Sequence, residues 1–247
     1  MELSYSVFDP TGNITVLVQT PVPAADQPRV ASLLMAREPT CEQVGFRMPD
    51  TPGADITVRM AGGEFCGNAS MSAAAWLCTE RGWARAAVTV AIGGQLIPVT
   101  AEQTGEGCFR CAVTMPRPLR ITEAFGLPLV ELPGISHLIA TAPMAREAAE
   151  EAIRGWCRAL RADALGLMLL DEATGRLDPL VYVPQADTLF WERSCASGTA
   201  AVGAWAGPNR ELSLTEPGGV LTVRTASDGT VTLEGAVRLE RQHTAIL

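Results

Sequence analysis

The sequence predicts an α/β protein built from two similar halves, and three features of the 247-residue chain predict it. Cys66 and Cys195 each open a run of small residues of helical character. Each cysteine is followed ten residues later by a tryptophan, Trp76 or Trp205. The order strand, helix, strands, cysteine, short helix, strands occurs twice. A duplicated fold with one thiol from each half follows from these features.

Two helices are predicted among the strands of the first half. Residues 25–36 form an amphipathic pattern that Pro39 ends, and residues 69–80 carry Ala, Met and Leu at helical density. Gly93-Gly94 has the chemistry of a two-residue hairpin turn. The predicted strands are 4–8, 14–18, 41–46, 56–60, 87–92, 95–100 and 108–115.

The boundary between the halves is predicted at Pro116-Arg117-Pro118, because two prolines interrupt any strand ladder. This gives a first domain of residues 1–117, which carries Cys66, and a second of residues 118–247, which carries Cys195. The predicted helices of the second half are 145–160 and 197–206, and its strands are 137–141, 165–170, 177–183, 188–191, 220–225, 230–233 and 236–239.

Composition is that of an ordinary globular protein, with 47% hydrophobic and 19% charged residues. The net charge of −8 argues against nucleic-acid and anionic-membrane partners. No apolar run approaches the roughly 18 residues that span a bilayer, and the N-terminus lacks the pattern of a signal peptide. We therefore expect a cytoplasmic protein with no nucleic-acid or membrane partner.

The two cysteine segments suggest acid–base chemistry by paired thiols. A cysteine at a helix N-terminus has a lowered pKa, because the helix dipole and unpaired N–H groups stabilise the thiolate. The small residues Gly67-Asn68 and Ala196-Ser197-Gly198 would let a substrate carboxylate approach those N–H groups. One thiolate could remove an α-proton while the other thiol returns a proton to the opposite face. This chemistry requires no cofactor and no metal.

Other roles for the cysteines stay open. Cys66 and Cys195 could be buried core thiols. Cys108-Phe109-Arg110-Cys111 has the Cys-x-x-Cys spacing of redox modules, but it lies in strand-like sequence rather than at a helix start. Only His137 and His243 could complete a Cys/His metal site. A cysteine-based metal-binding or redox module is therefore kept as an alternative from another class.

The chain resembles the cofactor-independent, two-cysteine amino-acid racemases of the diaminopimelate epimerase fold, which include proline racemases. Cys66-Gly67-Asn68 resembles the first family motif, and Glu192–Thr199 resembles the second. Gly12-Asn13, His137 and Pro217-Gly218-Gly219 also lie where the family has them. Segments 10–15, 41–46, 64–69, 166–171 and 191–195 resemble, more narrowly, the histidine racemases of staphylopine-type metallophore biosynthesis.

The resemblance implies two pseudo-symmetric domains, each a barrel-like sheet around a central helix, with the active site in the cleft between them. It leaves open that the strand near 237–247 returns to the first domain. It implies an isomerase that converts L-histidine to D-histidine without pyridoxal phosphate and feeds opine-type metallophore synthesis. The expected partner is a small amino-acid substrate, and both a monomer and a homodimer are compatible with the sequence.

Site residues are carried over from the resemblance. Cys66 and Cys195 are the expected catalytic pair. Glu42 is the candidate to accept an imidazole N–H, although its local pattern is that of a solvated strand carboxylate; Asn13, similarly, has the local pattern of a turn residue. Arg193 could equally serve in a structural ion pair. The full set of expected substrate-binding residues is Asn13, Glu42, Gly67, Asn68, Glu192, Arg193, Ser197, Gly198 and Thr199.

Departures from diaminopimelate epimerase narrow the substrate. That enzyme binds the distal carboxylate and ammonium of its substrate through asparagines, and this chain has Arg59 or Met60, Ile135 and Met168 at those positions. A second zwitterionic end left unpaired would cost several kcal/mol per charge. Histidine fits better, whereas diaminopimelate, proline and hydroxyproline stay as alternatives. The isomerase-like proteins of phenazine synthesis share the fold but lack the paired cysteines.

Overall fold

The computed structural model describes residues 2–246 and divides the chain into two units. The first unit ends at Thr114 and resumes at Glu234, and the second unit runs from Met115 to Leu233. The chain therefore passes from one unit to the other twice. The first passage lies two residues before the proline pair that marked the boundary in the sequence, and the second lies within the last strand.

The first unit is a closed eight-stranded barrel around a helix. Strand order follows the chain through seven strands, and the final strand closes the ring by antiparallel pairing with the first. The strands are β1 (Glu2–Pro10), β2 (Thr15–Val18), β3 (Gln43–Arg47), β4 (Ile56–Met60), β5 (Arg85–Ile92), β6 (Gln95–Gly105), β7 (Cys108–Thr114) and β16 (Val231–Ile246), and the helices are α1 (Gln27–Arg37) and α2 (Gly67–Arg81).

Helix α2 is the central helix of this barrel. Its residues from Gly67 to Cys78 are all buried, and most are Ala, Ser or Gly. A helix buried on every side shows no amphipathic stripe, and small side chains let the surrounding strands approach it closely. Helix α1 instead buries one face, through Val30 and Leu34, against an apolar cluster that includes Phe46.

The second unit is a sheet that packs on a central helix of similar character. Its strand order is β15-β14-β12-β11-β10-β9-β8, and β13 adds to β12. The elements are β8 (Arg120–Ala124), β9 (Leu127–Leu132), β10 (Ile135–Ala140), α3 (Arg146–Leu160), β11 (Leu165–Asp171), β12 (Arg176–Val183), a 3-10 turn (Pro184–Ala186), β13 (Thr188–Trp191), α4 (Ala196–Ala206), β14 (Arg210–Glu216) and β15 (Gly219–Thr225).

Helix α4 lies so close to β15 that Gly203 has no room for a side chain, because a Cβ there would be 2.3 Å from a methyl carbon of Val223. Helix α3 is amphipathic and buries Ala149, Ile153 and Cys157 in a separate apolar cluster with residues of β11 and β12. The sheet therefore carries a small-residue central helix and a second, conventional surface helix.

The predicted fold class is confirmed, and the differences concern weakly marked strands. The sequence did not predict β8, β9 or β14. Most side chains of β8 and β14 are exposed, so these strands lack an apolar signal and form because β9 and β15 pair with them. The sequence also predicts separate strands at 230–233 and 236–239, whereas the structure has the single strand β16, which pairing with β1 keeps extended from Val237 to Ile246.

Candidate active site

Cys66 and Cys195 cap the central helices in the same way. Cys66 precedes α2 with φ −142° and ψ 116°, and its Sγ accepts the N–H of Ala69 at 3.4 Å. Cys195 precedes α4 with φ −125° and ψ 95°, and its Sγ accepts the N–H of Gly198 at 3.4 Å. Each sulfur therefore occupies the place of an N-cap oxygen, at the positive end of a helix dipole that favours a thiolate.

A chain of hydrogen bonds joins Cys66 to two other residues that the sequence selected. The Cys66 thiol donates to Gln43 Oε1 at 3.0 Å. Gln43 Nε2 donates to Asn13 Oδ1, and Asn13 Nδ2 donates to Glu42 Oε2 at 2.9 Å. The structure thus brings Asn13, Glu42 and Cys66 together. Gln43, which lies in segment 41–46 and was not among the predicted site residues, links them.

The barrel strands explain this placement. β2 and β3 are parallel, with Thr15 opposite Gln43, so Asn13 and Glu42 both lie just before the starts of neighbouring strands. Gln43 Nε2 also donates to Thr15 Oγ1 at 2.8 Å, which orients the amide oxygen toward the cysteine. Asn13 is only 5% exposed, so its side chain belongs to this network as well as to the turn. The role of Gln43 depends on the pairing of β2 with β3, which local sequence patterns do not reveal.

The first turn of α2 carries a buried acceptor. Asn68 is 3% exposed, and its Oδ1 has no hydrogen-bond partner among residues 2–246. Gly67, also buried, is the first residue of the helix and adds no side chain between the helix N–H groups and the space beside Cys66. A buried, unpaired carbonyl is costly without a ligand or water, so Asn68 is suited to receive an N–H donor.

Around Cys195 the structure places two carboxyl groups. The N–H of Cys195 donates to Glu216 Oε2 at 2.6 Å, and the hydroxyl of Thr199 donates to Glu216 Oε1. Burial raises the pKa of Glu216 to about 8 and that of Glu192 to about 7. The pKa of Cys195 is raised well above its ordinary value, first by burial and then by these two carboxyl groups. Cys195 is therefore held as a thiol near neutral pH.

His137 approaches the same cysteine through Ser197. Its Nε2 lies 3.0 Å from Ser197 Oγ, which in turn lies 3.6 Å from Cys195 Sγ. His137 is fully buried, and this burial lowers its pKa to about 3, so the imidazole is neutral. Its Nδ1 has no partner among the described residues. On the neighbouring parallel strand it faces Gly166, where a Cβ would lie 2.1 Å from Nδ1.

The remaining predicted residues divide into those near the cysteine and one that faces solvent. Gly198 is buried, and a Cβ there would be 2.1 Å from Met168 Sδ and 3.2 Å from Cys195 Sγ. Arg193 is exposed, and its carbonyl oxygen accepts the N–H of Gly218 at 2.7 Å. The second unit thus gathers Glu192, Cys195, Ser197, Gly198 and Thr199, whereas the side chain of Arg193 projects to solvent. Glu216 was not among the predicted site residues, because only the pairing of β14 with its neighbours brings it beside Cys195.

The Cys-x-x-Cys segment does not form a reactive pair. Cys108 and Cys111 are both free and lie three residues apart on β7, so their side chains point to opposite faces of the strand. Cys111 is fully buried, and this burial raises its pKa. Among the described residues, no group of three or more His, Cys, Asp or Glu is arranged to hold a metal. No helix within 2–246 has the length and apolarity to cross a membrane.

The two carboxyl groups beside Cys195 are expected to make stability depend on pH. Their folded-state pKa values of about 7 and about 8 exceed the ordinary value of 4.5. Above this ordinary value, and up to about pH 8, the folded protein therefore binds more protons than the unfolded chain. The free energy of unfolding therefore falls as pH rises through this window. His137, with its pKa lowered to about 3 from 6.5, opposes this only below its ordinary value.

Urea denaturation of the full chain should accordingly give a lower midpoint at about pH 8 than at about pH 6.5. Glu216→Gln should reduce this fall, because it removes one of the two titrations. Glu211→Gln on the same strand, where the carboxylate is exposed and paired with Arg224 at 2.7 Å, should leave it unchanged. A midpoint that rises across the window would contradict the assignment.

The chain is similar to known proteins in both sequence and fold. The family model described as histidine racemase CntK N-terminal domain matches residues 2–244. The chain is 28% identical over 243 residues to the histidine racemase of Staphylococcus aureus strain Mu50, covering 90% of this chain and 88% of that protein. Among solved structures, a predicted epimerase, PA4716, from Pseudomonas aeruginosa has a TM-score of 0.78 at 16% identity and covers 99% of each chain.

A hydroxyproline epimerase from Agrobacterium vitis, solved with bound trans-4-hydroxy-L-proline, has a TM-score of 0.69 at 13% identity, covering 100% of this chain and 93% of that one. At these identities the two structures establish the fold. The match of the family model across nearly the whole described chain carries more information, because it extends over both units.

Proposed function

We propose, from the premise that the chain belongs to the histidine racemase CntK N-terminal domain family, that it interconverts L- and D-histidine without pyridoxal phosphate. The protein is an isomerase. The observation that carries the proposal is the repeated cysteine cap: in each unit a thiol occupies the N-cap of a buried helix and accepts the N–H three residues on, at 3.4 Å. A purely structural role for either cysteine would not explain why the same cap occurs in both units.

In the proposed mechanism, one cysteine as thiolate removes the α-proton of histidine, and the other as thiol delivers a proton to the opposite face of the carbanion. The proton count balances, because the thiolate becomes a thiol and the thiol becomes a thiolate. Burial and two carboxyl groups favour the thiol form of Cys195, which suits this cysteine to deliver the proton. Cys66 can serve in both forms, since it donates to Gln43 and accepts from Ala69.

Substrate recognition would use the groups that surround each cysteine. The free N–H groups of the helix N-termini, opened by Gly67 and Gly198, are suited to the α-carboxylate and to the enolate-like charge of the transition state. The unpaired Oδ1 of Asn68 and the carboxyl group of Glu192 are acceptors for the α-ammonium group. Glu42 is the proposed acceptor for the imidazole N–H, held in place by its hydrogen bond from Asn13.

The alternative substrates are other amino acids handled by the same chemistry. Likeness to a hydroxyproline epimerase supports the common fold at 13% identity and does not select the substrate. Ile135 and Met168, which are apolar and respectively half-buried and fully buried, argue against a second zwitterionic end such as that of diaminopimelate. Histidine is favoured because Glu42 offers a carboxylate acceptor within the Cys66 network.

We place the reaction in the cytoplasm and assign its product to opine-type metallophore synthesis. The seven cysteines, all within residues 2–246, are thiols that form no disulfide, as expected in a reducing compartment. D-histidine is the only product the proposed reaction offers to a biosynthetic step, and the family resemblance supplies the metallophore context. A monomer and a homodimer are both compatible with this activity.

The proposal is tested by incubating the reduced, purified protein with single L-amino acids in D₂O without added cofactor. Chiral chromatography with mass spectrometry follows the D-isomer and α-deuterium, and the panel holds L-histidine, L-proline, trans-4-hydroxy-L-proline and LL-diaminopimelate. Deuterated D-histidine alone is expected. Turnover of another member only would overturn the substrate assignment, and no exchange with any member would overturn the racemase chemistry.

Glu42→Gln is expected to raise KM for histidine more than it lowers kcat. A hydrogen bond to a charged acceptor contributes about 1.5–3 kcal/mol, so kcat/KM should fall by about 10- to 100-fold. The control is Glu102→Gln in the same unit, where an exposed carboxylate pairs with Arg110 at 2.9 Å. If the kinetic constants of Glu42→Gln match those of the control, Glu42 is only a solvated strand carboxylate.

A further inference from the structure

Glu216 is a buried acid that the two-thiol chemistry does not itself require. It is the last residue of β14 and is 3% exposed. Both carboxyl oxygens bind the start of α4: Oε2 accepts the N–H of Cys195 at 2.6 Å, and Oε1 accepts the hydroxyl of Thr199. One side chain from a distant strand therefore holds the cysteine and the helical turn that follows it.

The turn after Glu216 reinforces this attachment. Glu216 pairs with Gly219 at the end of the β14–β15 ladder, and Pro217-Gly218 connect the two strands. The N–H of Gly218 donates to the carbonyl of Arg193 at 2.7 Å. The segment that carries Cys195 is therefore attached to this hairpin both before and after the cysteine, and its backbone position is set by the sheet as well as by the helix.

Among residues 2–246, no cationic side chain forms an ion pair with Glu216. Its partners are the Cys195 N–H and the Thr199 hydroxyl, both from α4 and its cap, and the charged groups that act on it are Glu192, before the cap, and Asp178 on β12. Burial raises its pKa to about 8. An amide could accept the Cys195 N–H without the cost of burying an acid, although its NH₂ group would have to donate to Thr199 Oγ1 instead of accepting the hydroxyl. What an acid adds to this position is the charge that it gains on ionising.

We propose that Glu216 is a positioning residue for Cys195: its carboxyl group fixes the cysteine at the start of α4, and the negative charge that it gains on ionising opposes the thiolate, so that Cys195 stays a thiol as the pH rises and acts as the proton donor. This rests on the proposed racemase function. The groups facing the Cys195 sulfur are Glu192, Glu216, Ser197 and the N–H of Gly198. Only the last two favour the thiolate, so loss of the Glu216 charge shifts the balance toward it.

The test is the pH dependence of alkylation. Glu216→Gln keeps an oxygen for the Cys195 N–H and gains an NH₂ that can donate to Thr199 Oγ1, so it removes charge at constant shape. The full chain is treated with iodoacetamide from about pH 6 to about pH 10.5, and modification of the Cys195 peptide is followed by mass spectrometry. We expect the midpoint of Cys195 alkylation to fall by about one pH unit or more. The exposed Glu211→Gln on the same strand should not move it.

An unchanged midpoint in a folded Glu216→Gln variant would overturn the proposal. Thr199→Val provides a second variant: it removes the hydroxyl that stabilises the Glu216 carboxylate, so the acid stays neutral to higher pH, and the midpoint should move in the same direction by less. If Glu216→Gln does not fold, an unchanged midpoint of Cys195 alkylation in Thr199→Val would overturn the proposal instead.

Activity gives a readout that a purely structural role would not move. In Glu216→Gln, the alkaline limb of kcat/KM should shift to lower pH by about one unit for the enantiomer that receives its proton from Cys195. A uniform fall of kcat/KM at all pH values would mean that Glu216 only holds the start of α4 through its two hydrogen bonds, and it would contradict the electrostatic role. Alkylation does not depend on turnover. A shift of the alkylation midpoint in a protein that does not racemise histidine would therefore refute the proposed substrate and still support the role of Glu216 in positioning Cys195.

Discussion

Replacing Cys66 or Cys195 with serine is expected to reduce racemisation of histidine by at least about 10³-fold, the scale of a lost general acid or base. A serine hydroxyl is far less acidic than a thiol, so it can neither form the resting base nor donate a proton readily. Both cysteines are N-caps, and serine is a preferred N-cap residue, so helices α2 and α4 should be retained. Activity is measured by chiral chromatography and α-deuterium uptake in D₂O.

Cys108→Ser is the matched control for these variants, because Cys108 is a free, half-buried cysteine on β7 outside the Cys66 network. It should retain racemisation, and all three variants should give the circular dichroism of the parent chain. Full activity in either capping variant would show that one thiol suffices and would refute the two-base mechanism.

Gly166→Ala is expected to lower the free energy of unfolding by about 2–3 kcal/mol, the cost of overpacking a filled core. The new Cβ would lie 2.1 Å from Nδ1 of the fully buried His137 ring and 3.0 Å from Met168 Cε. Moving the ring would also break its 3.0 Å contact with Ser197 beside Cys195, so kcat should fall together with stability. Urea denaturation and histidine turnover of the same preparation measure the two effects.

Gly155→Ala on α3 is the control for that substitution. Apart from its chain neighbours and the backbone of α3 itself, no described atom lies within 4 Å of the Cβ that it would add, so only helix propensity should act. A gain of about 0.5–1 kcal/mol is expected, with unchanged turnover. If Gly166→Ala proved as stable as Gly155→Ala, the close packing of His137 against β11 would be wrong.

The sequence by itself was sufficient for the elements with strong local signals. The helix-starting cysteines, the small-residue helices and the apolar strand β4 follow from periodicity and residue type, and the structure places them as predicted. Fold class and family followed from the two cysteine segments. These features are local, so neighbouring residues alone determine them. The exposed strands β8 and β14 lacked such a signal and depended on their partners.

The surroundings of the two cysteines were decided by tertiary structure. Gln43 joins Cys66 to Asn13 only because β2 and β3 lie in parallel register. Glu216 reaches Cys195 from 21 residues away because the β14 strand ends beside α4. Hydrogen-bond partners and desolvation depend on which distant segments are packed together, and these set the protonation of a thiol. The chain therefore specifies locally where its thiols lie, and the packed strands specify which distant side chains surround them.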